Sequence, residues 1–240
     1  GAWSKKAISE AKKFCTVKVA ATTEADKFMR APAAAELKLD AEAAYVHYTP
    51  NETIGGVEFP YVPATGGVPL IADMSSTILS RPIDVSKFGL IYAGAQKNIG
   101  PAGVTLVIVR QELLGMAPLN IPSIMDYALM AENGSMLNTP PTYGIYVAGL
   151  VFQWLKRQGG LAGIAAVNAE KSRILYECID RSGGFYANTV DPDCRSRMNI
   201  PFTLADPALD AVFLAESRDA GLVSLKGHKS VGGMRASIYN

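Results

Sequence analysis

Asp73 closes the apolar run Val68-Pro-Leu-Ile-Ala72, and Lys97 follows the run Gly89-Leu-Ile-Tyr-Ala93 after a short Gly-Ala-Gln step. Both runs are continuously apolar rather than alternating, the pattern of buried strands in a parallel-type sheet. In open α/β sheets ligands sit outside the carboxyl ends of the strands, so an acid and an amine at two such ends can face one ligand. Either residue alone reads as an ordinary loop residue. Together they offer an amine for a Schiff base and a carboxylate that keeps a pyridine nitrogen protonated, the pair that pyridoxal phosphate (PLP) chemistry asks of a protein.

The composition excludes several classes. A chain of 240 residues with 49% hydrophobic and 19% charged residues has material for one large domain or two modest ones. The net charge is +1 and no basic run occurs, so nucleic acid and anionic membranes are not expected partners. No apolar run approaches the roughly 18 residues of a membrane span, and the opening Gly-Ala-Trp-Ser-Lys-Lys does not read as a signal peptide. Cys15, Cys178 and Cys194 have unrelated spacings, and His47 and His228 are the only histidines, so no zinc site is expected. Reduced thiols in a cytoplasmic protein is the default expectation, with Cys178 in the core.

The elements that must position Asp73 and Lys97 follow from periodicity. Residues 4–14 pattern as an amphipathic helix with Ser4 as its N-cap, and Thr16–Ala20 as a strand. Residues 24–40 form a partly helical connection. Ala43–Tyr48 reads as the next strand, ended by the Pro, Asn and Gly of Thr49–Gly56, with Thr53 offering a hydroxyl there. Residues 57–67 read as a surface excursion. Val104–Arg110 is a β-branched strand, helical signals follow at 111–114 and 123–130, and 133–142 is a proline-bearing loop. Tyr143–Gln158 is helical, Gly159-Gly160 interrupts it, and Ile164, Val167, Ile174, Cys178 and Ile179 form a stripe along a helix over 161–181. Strands are expected at 197–203, 222–225 and 234–239, with a helix over 206–220. The expected division is residues 1–160 and a smaller α+β unit, 161–240.

Five segments, His47–Gly55, Asp73–Asp84, Tyr92–Gly103, Asn138–Thr142 and Gly227–Ser237, together resemble the phosphoserine aminotransferase family along essentially the whole chain. The resemblance implies an α/β, fold-type-I, PLP-dependent homodimer that moves an amino group between glutamate and 3-phosphohydroxypyruvate. It implies that Lys97 holds PLP as a Schiff base and moves the proton at the substrate Cα, and that Asp73 faces the pyridine nitrogen. It further implies that Trp3, by itself an ordinary packing residue, stacks on the ring, that Thr53 meets the phenolic oxygen, and that Gln96 meets the phosphate. Asn138 and Thr139, by themselves a turn, would cross to the neighbouring subunit's phosphate. Arg235 would take the substrate carboxylate through its fork, and His228 and Lys229 the substrate phosphate. The family pattern has His-Arg where this chain has His228-Lys229, and lysine lacks the bidentate geometry; alone, Lys229 reads as a solvated loop charge.

In the family a further stretch, including a glycine-rich phosphate loop, precedes the position of Gly1, and a strand and helix follow Asn240. The chain therefore reads as an internal part of a longer enzyme that on its own binds PLP poorly. Alternatives are another aminotransferase of the alanine–glyoxylate or serine–pyruvate type, a desulfurase using Cys194, or a non-catalytic dimerisation partner.

Overall fold

A computed structural model describes all residues 1–240. Helix α1 spans Ala2–Ala11 and starts from Gly1, so Ser4 lies inside the helix and caps nothing. Thr16–Ala20 forms no strand. Strand preference is a preference for a half-buried pleated surface, and Val19 is 55% exposed, while the Lys38 amide on the Ala20 carbonyl does not extend into a ladder. The expected connection over 24–40 condenses to two single 3₁₀ turns.

The first sheet has four strands, β1 (Val46–Tyr48), β4 (Leu70–Asp73), β5 (Leu90–Gly94) and β6 (Thr105–Val109), in that order. β1, β4 and β5 run parallel, and β6 returns antiparallel to β5. The continuous apolar runs suggested strands covered equally on both faces; the structure separates them. Leu70, Ala72, Ile91 and Ala93 fill the core with Tyr48, Phe88, Ile99 and Ala148. Ile71, Asp73, Tyr92 and Gly94 alternate onto the less covered face, which is where the strand-end chemistry sits.

Between β1 and β4 a two-stranded hairpin, β2 (Asn51–Glu52) and β3 (Val57–Glu58), turns through residues 53–56. Val57 and Glu58 are buried, so the excursion expected over 57–67 begins only after them. Glu58 is held by Arg81 at 3.0 Å and accepts from the Arg197 amide, and Val57 packs with Ala31, Val190 and Cys194.

Helix α2 (Tyr127–Glu132) is capped by Asp126, and α3 (Thr142–Arg157) and α4 (Gly160–Asp180) follow. Gly159, at φ +84°, breaks α3 from α4 as its sequence position predicted. On α4 the buried line is Ile164, Asn168, Ser172 and Ile179. Val167, Ile174 and Cys178 of the expected stripe are exposed. Two polar residues win inward places because Asn168 donates to the Ser80 carbonyl and to Asn240, bonds that periodicity of apolar residues cannot reveal.

The second sheet is antiparallel: β7 (Tyr186–Ala187), β8 (Asn199–Leu204) and β9 (Met234–Ser237), with α5 (Asp210–Asp219) between β8 and β9. No strand forms at 222–225; Ser224 takes a left-handed φ of +62° there, and only Lys226 makes an isolated bridge to Met234. A polar seam joins the β2–β3 hairpin to the second sheet. Asn51 Nδ2 donates to Ser76 Oγ and Asn199 Oδ1, each at 2.9 Å, and Asn199 Nδ2 donates to Ser237 and Tyr239.

Candidate active site

Asp73 is the last residue of β4, and its Oδ1 accepts the Ser75 amide at 3.0 Å, a local turn that fixes the carboxylate at the strand end. Ser75 Oγ in turn accepts from the Gly94 amide. Lys97 lies three residues beyond β5 in a turn closed by the Gly100 amide on the Ala95 carbonyl. Its neighbours Ala95, Asn98 and Ile99 are buried, and Asn98 is bonded on both sides, to the Ile78 carbonyl and from the Asn240 amide. The backbone is thus pinned while the amine stays free of any ion pair, 5.9 Å over the Tyr239 ring.

Burial lowers the Lys97 amine below the ordinary lysine value; Asp73 and Glu52 pull it up, and Arg235 pushes it further down. A lowered amine is the reactive form of a lysine. The Arg235→Gln variant therefore loses a cation that favours the neutral amine, and the pH midpoint for capture of an aldehyde by the Lys97 amine should move upward. Glu52→Gln moves it downward. Capture rates measured across pH check both signs, and a shift of either variant in the other direction refutes the electrostatic account.

The hairpin turn and the start of the chain meet at the same place. Trp3 Nε1 donates to Thr53 Oγ1 at 2.8 Å, and the Trp3 amide donates to Glu52 Oε2 at 3.0 Å. The indole is 40% exposed, with Lys6 Nζ 4.4 Å from its centre. Because Thr53 Oγ1 accepts from the indole, its own proton remains available to a second acceptor. Arg235, second residue of β9, donates from Nη1 to the Thr53 carbonyl at 3.1 Å, leaving other guanidinium donors for a ligand.

The structure thus brings Trp3, Thr53, Asp73, Lys97 and Arg235 into one neighbourhood. Gln96 sits beside Lys97, exposed and folded back over Gly94. Asn138 and Thr139 are exposed on the loop between α2 and α3 and form no hydrogen bond within the chain. The His228 side chain bonds only to Ser230, and Lys229 is exposed. Both ride a loop closed by the Gly227 amide on the Gly233 carbonyl, which leads into Arg235. Sequence reasoning passed over Glu52, Tyr92 and Tyr239. Adjacency to Thr53 could have flagged Glu52, whereas Tyr92 and Tyr239 emerge only from strand pairing.

A strand-end acid and amine, an indole and a fork-bearing arginine share one neighbourhood at the ends of the parallel strands. Residues 1–240 match the Aminotransferase class-V family, and the chain belongs to it. Within that family it is similar to phosphoserine aminotransferases. The one from Acidithiobacillus ferrooxidans is 61% identical over 240 residues, covering 100% of this chain and 66% of that protein. The solved phosphoserine aminotransferase from Bacillus circulans subsp. alkalophilus superposes with a TM-score of 0.97 at 51% identity, over 100% of this chain and 66% of that one. A PLP-bound phosphoserine aminotransferase from Trichomonas vaginalis superposes with a TM-score of 0.92 at 44% identity, over 100% and 69%. The chain spans about two thirds of the length of these relatives.

Proposed function

We propose that this chain carries the ring-binding and proton-transfer site of a PLP-dependent aminotransferase that moves the amino group of glutamate to 3-phosphohydroxypyruvate, giving phosphoserine and 2-oxoglutarate. The observation that carries the reading is the pair Asp73 and Lys97, one at the end of β4 and one in the turn after the adjoining parallel β5, with the amine lowered by burial and the Trp3 indole tied to Thr53 beside it.

The residues fit the cofactor. Bound PLP supplies the electron sink that lets a substrate Cα–H bond break. Asp73 accepts a hydrogen bond from the protonated ring nitrogen and keeps it charged. Lys97 anchors the group and moves the proton at the substrate Cα. The Trp3 indole would cover one ring face, Thr53 would donate its free hydroxyl proton to the phenolic oxygen, and Gln96 would bond the phosphate. Arg235 takes the substrate carboxylate with two parallel hydrogen bonds, and His228 and Lys229 take the substrate phosphate from their loop.

Asn138 and Thr139 are the residues left over. They have no partner within the chain, which supports their reaching a neighbour's phosphate in a homodimer with shared sites. The two sheets support two domains, 1–160 and 161–240, and a cytoplasmic setting suits free thiols and small anionic substrates. The desulfurase alternative is disfavoured by Cys194, which is buried among Ala31, Val57 and Val190 and accepts the Ala31 amide on Sγ.

Amino-acceptor competition tests the reading. With glutamate as donor and saturating PLP, phosphohydroxypyruvate should be used in preference to pyruvate and glyoxylate by at least about 100-fold, the discrimination expected where charged site groups are left unpaired by the smaller acids. Equal use of pyruvate or glyoxylate overturns the substrate assignment.

A further inference from the structure

The less covered face of the first sheet holds three polar side chains in line. Asp73 stands directly opposite Tyr92 in the β4–β5 ladder, and His47 stands opposite Ile71, two residues before Asp73 on the same strand. Residues paired across a ladder share a face, as do residues two apart on a strand. His47, Tyr92 and Asp73 are therefore neighbours by register. His47 Nε2 lies 3.0 Å from Tyr92 Oη, and the two rings stack with centres 5.9 Å apart at 28°.

We infer that Tyr92 and His47 are positioning residues for Asp73: His47 Nε2–H donates to Tyr92 Oη, and the Tyr92 O–H turns to the Asp73 carboxylate. This inference rests on the PLP reading only for what Asp73 then does. A single tyrosine proton has two candidate acceptors, the imidazole at 3.0 Å and the carboxylate of its ladder partner Asp73, which also acts on the Tyr92 hydroxyl. Hydrogen bonds to the charged acceptor are roughly twice as strong, so the proton goes to Asp73 and the 3.0 Å contact must be filled by a proton on His47.

The surroundings keep each group in the state this requires. Burial first, and then the Asp73 charge, hold the Tyr92 hydroxyl well above the ordinary tyrosine value, with Tyr127 and Tyr45 as the other titratable neighbours. Burial lowers His47, against the pull of Asp73, so the imidazole carries one proton at neutral pH. Asp73 then receives two donors, the Ser75 amide on Oδ1 and the Tyr92 hydroxyl. The two donors, one from the turn after β4 and one from β5, fix the plane of the carboxylate.

The tautomer decides the matter without activity. The chain has two histidines, His47 and His228, so long-range proton–nitrogen NMR, with His228→Gln for assignment, resolves both rings. The expected result is a protonated Nε2 and a bare Nδ1 at His47. A bare Nε2 overturns the inference, because Tyr92 would then give its proton to His47. In the second arm, Tyr92→Phe keeps the stacked ring and removes only the hydroxyl; PLP affinity, read from absorbance on titration, should fall about tenfold. Affinity within about twofold of the parent overturns the positioning role. The tautomer arm needs no cofactor, so a chain that shows the Nε2 proton but fails the amino-acceptor competition supports the relay and refutes the function proposed above.

Discussion

Replacing Lys97 with Ala should abolish covalent attachment of PLP. With saturating PLP and borohydride, the parent chain should yield one fixed adduct, located on Lys97 by peptide mass spectrometry, and Lys97→Ala should yield none. Transamination should fall by about 10⁴-fold, the upper end for one acid–base group that also anchors the reacting molecule. Loss of fold should not confuse the result. The Lys97 amine makes no hydrogen bond or ion pair and is half-buried at a desolvation cost, so its removal leaves nothing unpaired, and the variant should melt no lower than the parent. An adduct of undiminished yield in the variant would reassign the lysine.

The second large effect concerns Gly56. Its φ is +71°, and a Cβ there would meet the Asn199 carbonyl at 2.8 Å and the Pro201 ring more closely still. The glycine lets the β2–β3 turn lie directly against β8, which delivers Thr53 to Arg235 and Trp3. Gly56→Ala must tolerate a left-handed backbone and push two rigid neighbours aside. Strain of that kind costs about 1–3 kcal/mol for the backbone alone, and overpacking a similar amount. A combined loss of about 3 kcal/mol is expected in denaturant unfolding. The PLP adduct should also become harder to form, because Thr53 is displaced. A variant as stable as the parent would mean that the turn relaxes freely.

Asp73 and Lys97 were legible only as a pair, because two continuous apolar runs each lead into a charge, whereas either charge alone reads as a loop residue. The break at Gly159 was legible by itself, since glycine there serves a left-handed backbone that other residues resist. What escaped was anything decided by pairing. Tyr92 belongs with Asp73 only because β4 and β5 settle into one register, and nothing local encodes that alignment. Cys178 has an apolar neighbourhood in sequence but points outward, since Asn168 and Ser172 hold the inward line of α4, Asn168 through a distant carbonyl and amide. Apolar composition also misleads at Leu222–Leu225, where one left-handed residue, Ser224, stops the ladder.

The polar seam between the hairpin and the second sheet also bears on how the chain finds its alignment. Asn199 of β8 reaches Ser237 on the facing strand and Tyr239 just beyond it, while holding Asn51 on β2 of the hairpin. Suppose β9 paired one residue out of step. Met234 and Ala236, now buried, would turn to water, and Asn199 would lose Ser237 and Tyr239 together. Each buried polar group left alone costs about 1–3 kcal/mol, so the misaligned sheet is penalised twice, once by its apolar face and once by its amides. A purely apolar seam would impose only the first of these. The asparagines thus act as a check on folding fidelity: they reject the near-miss that hydrophobic contact alone would tolerate.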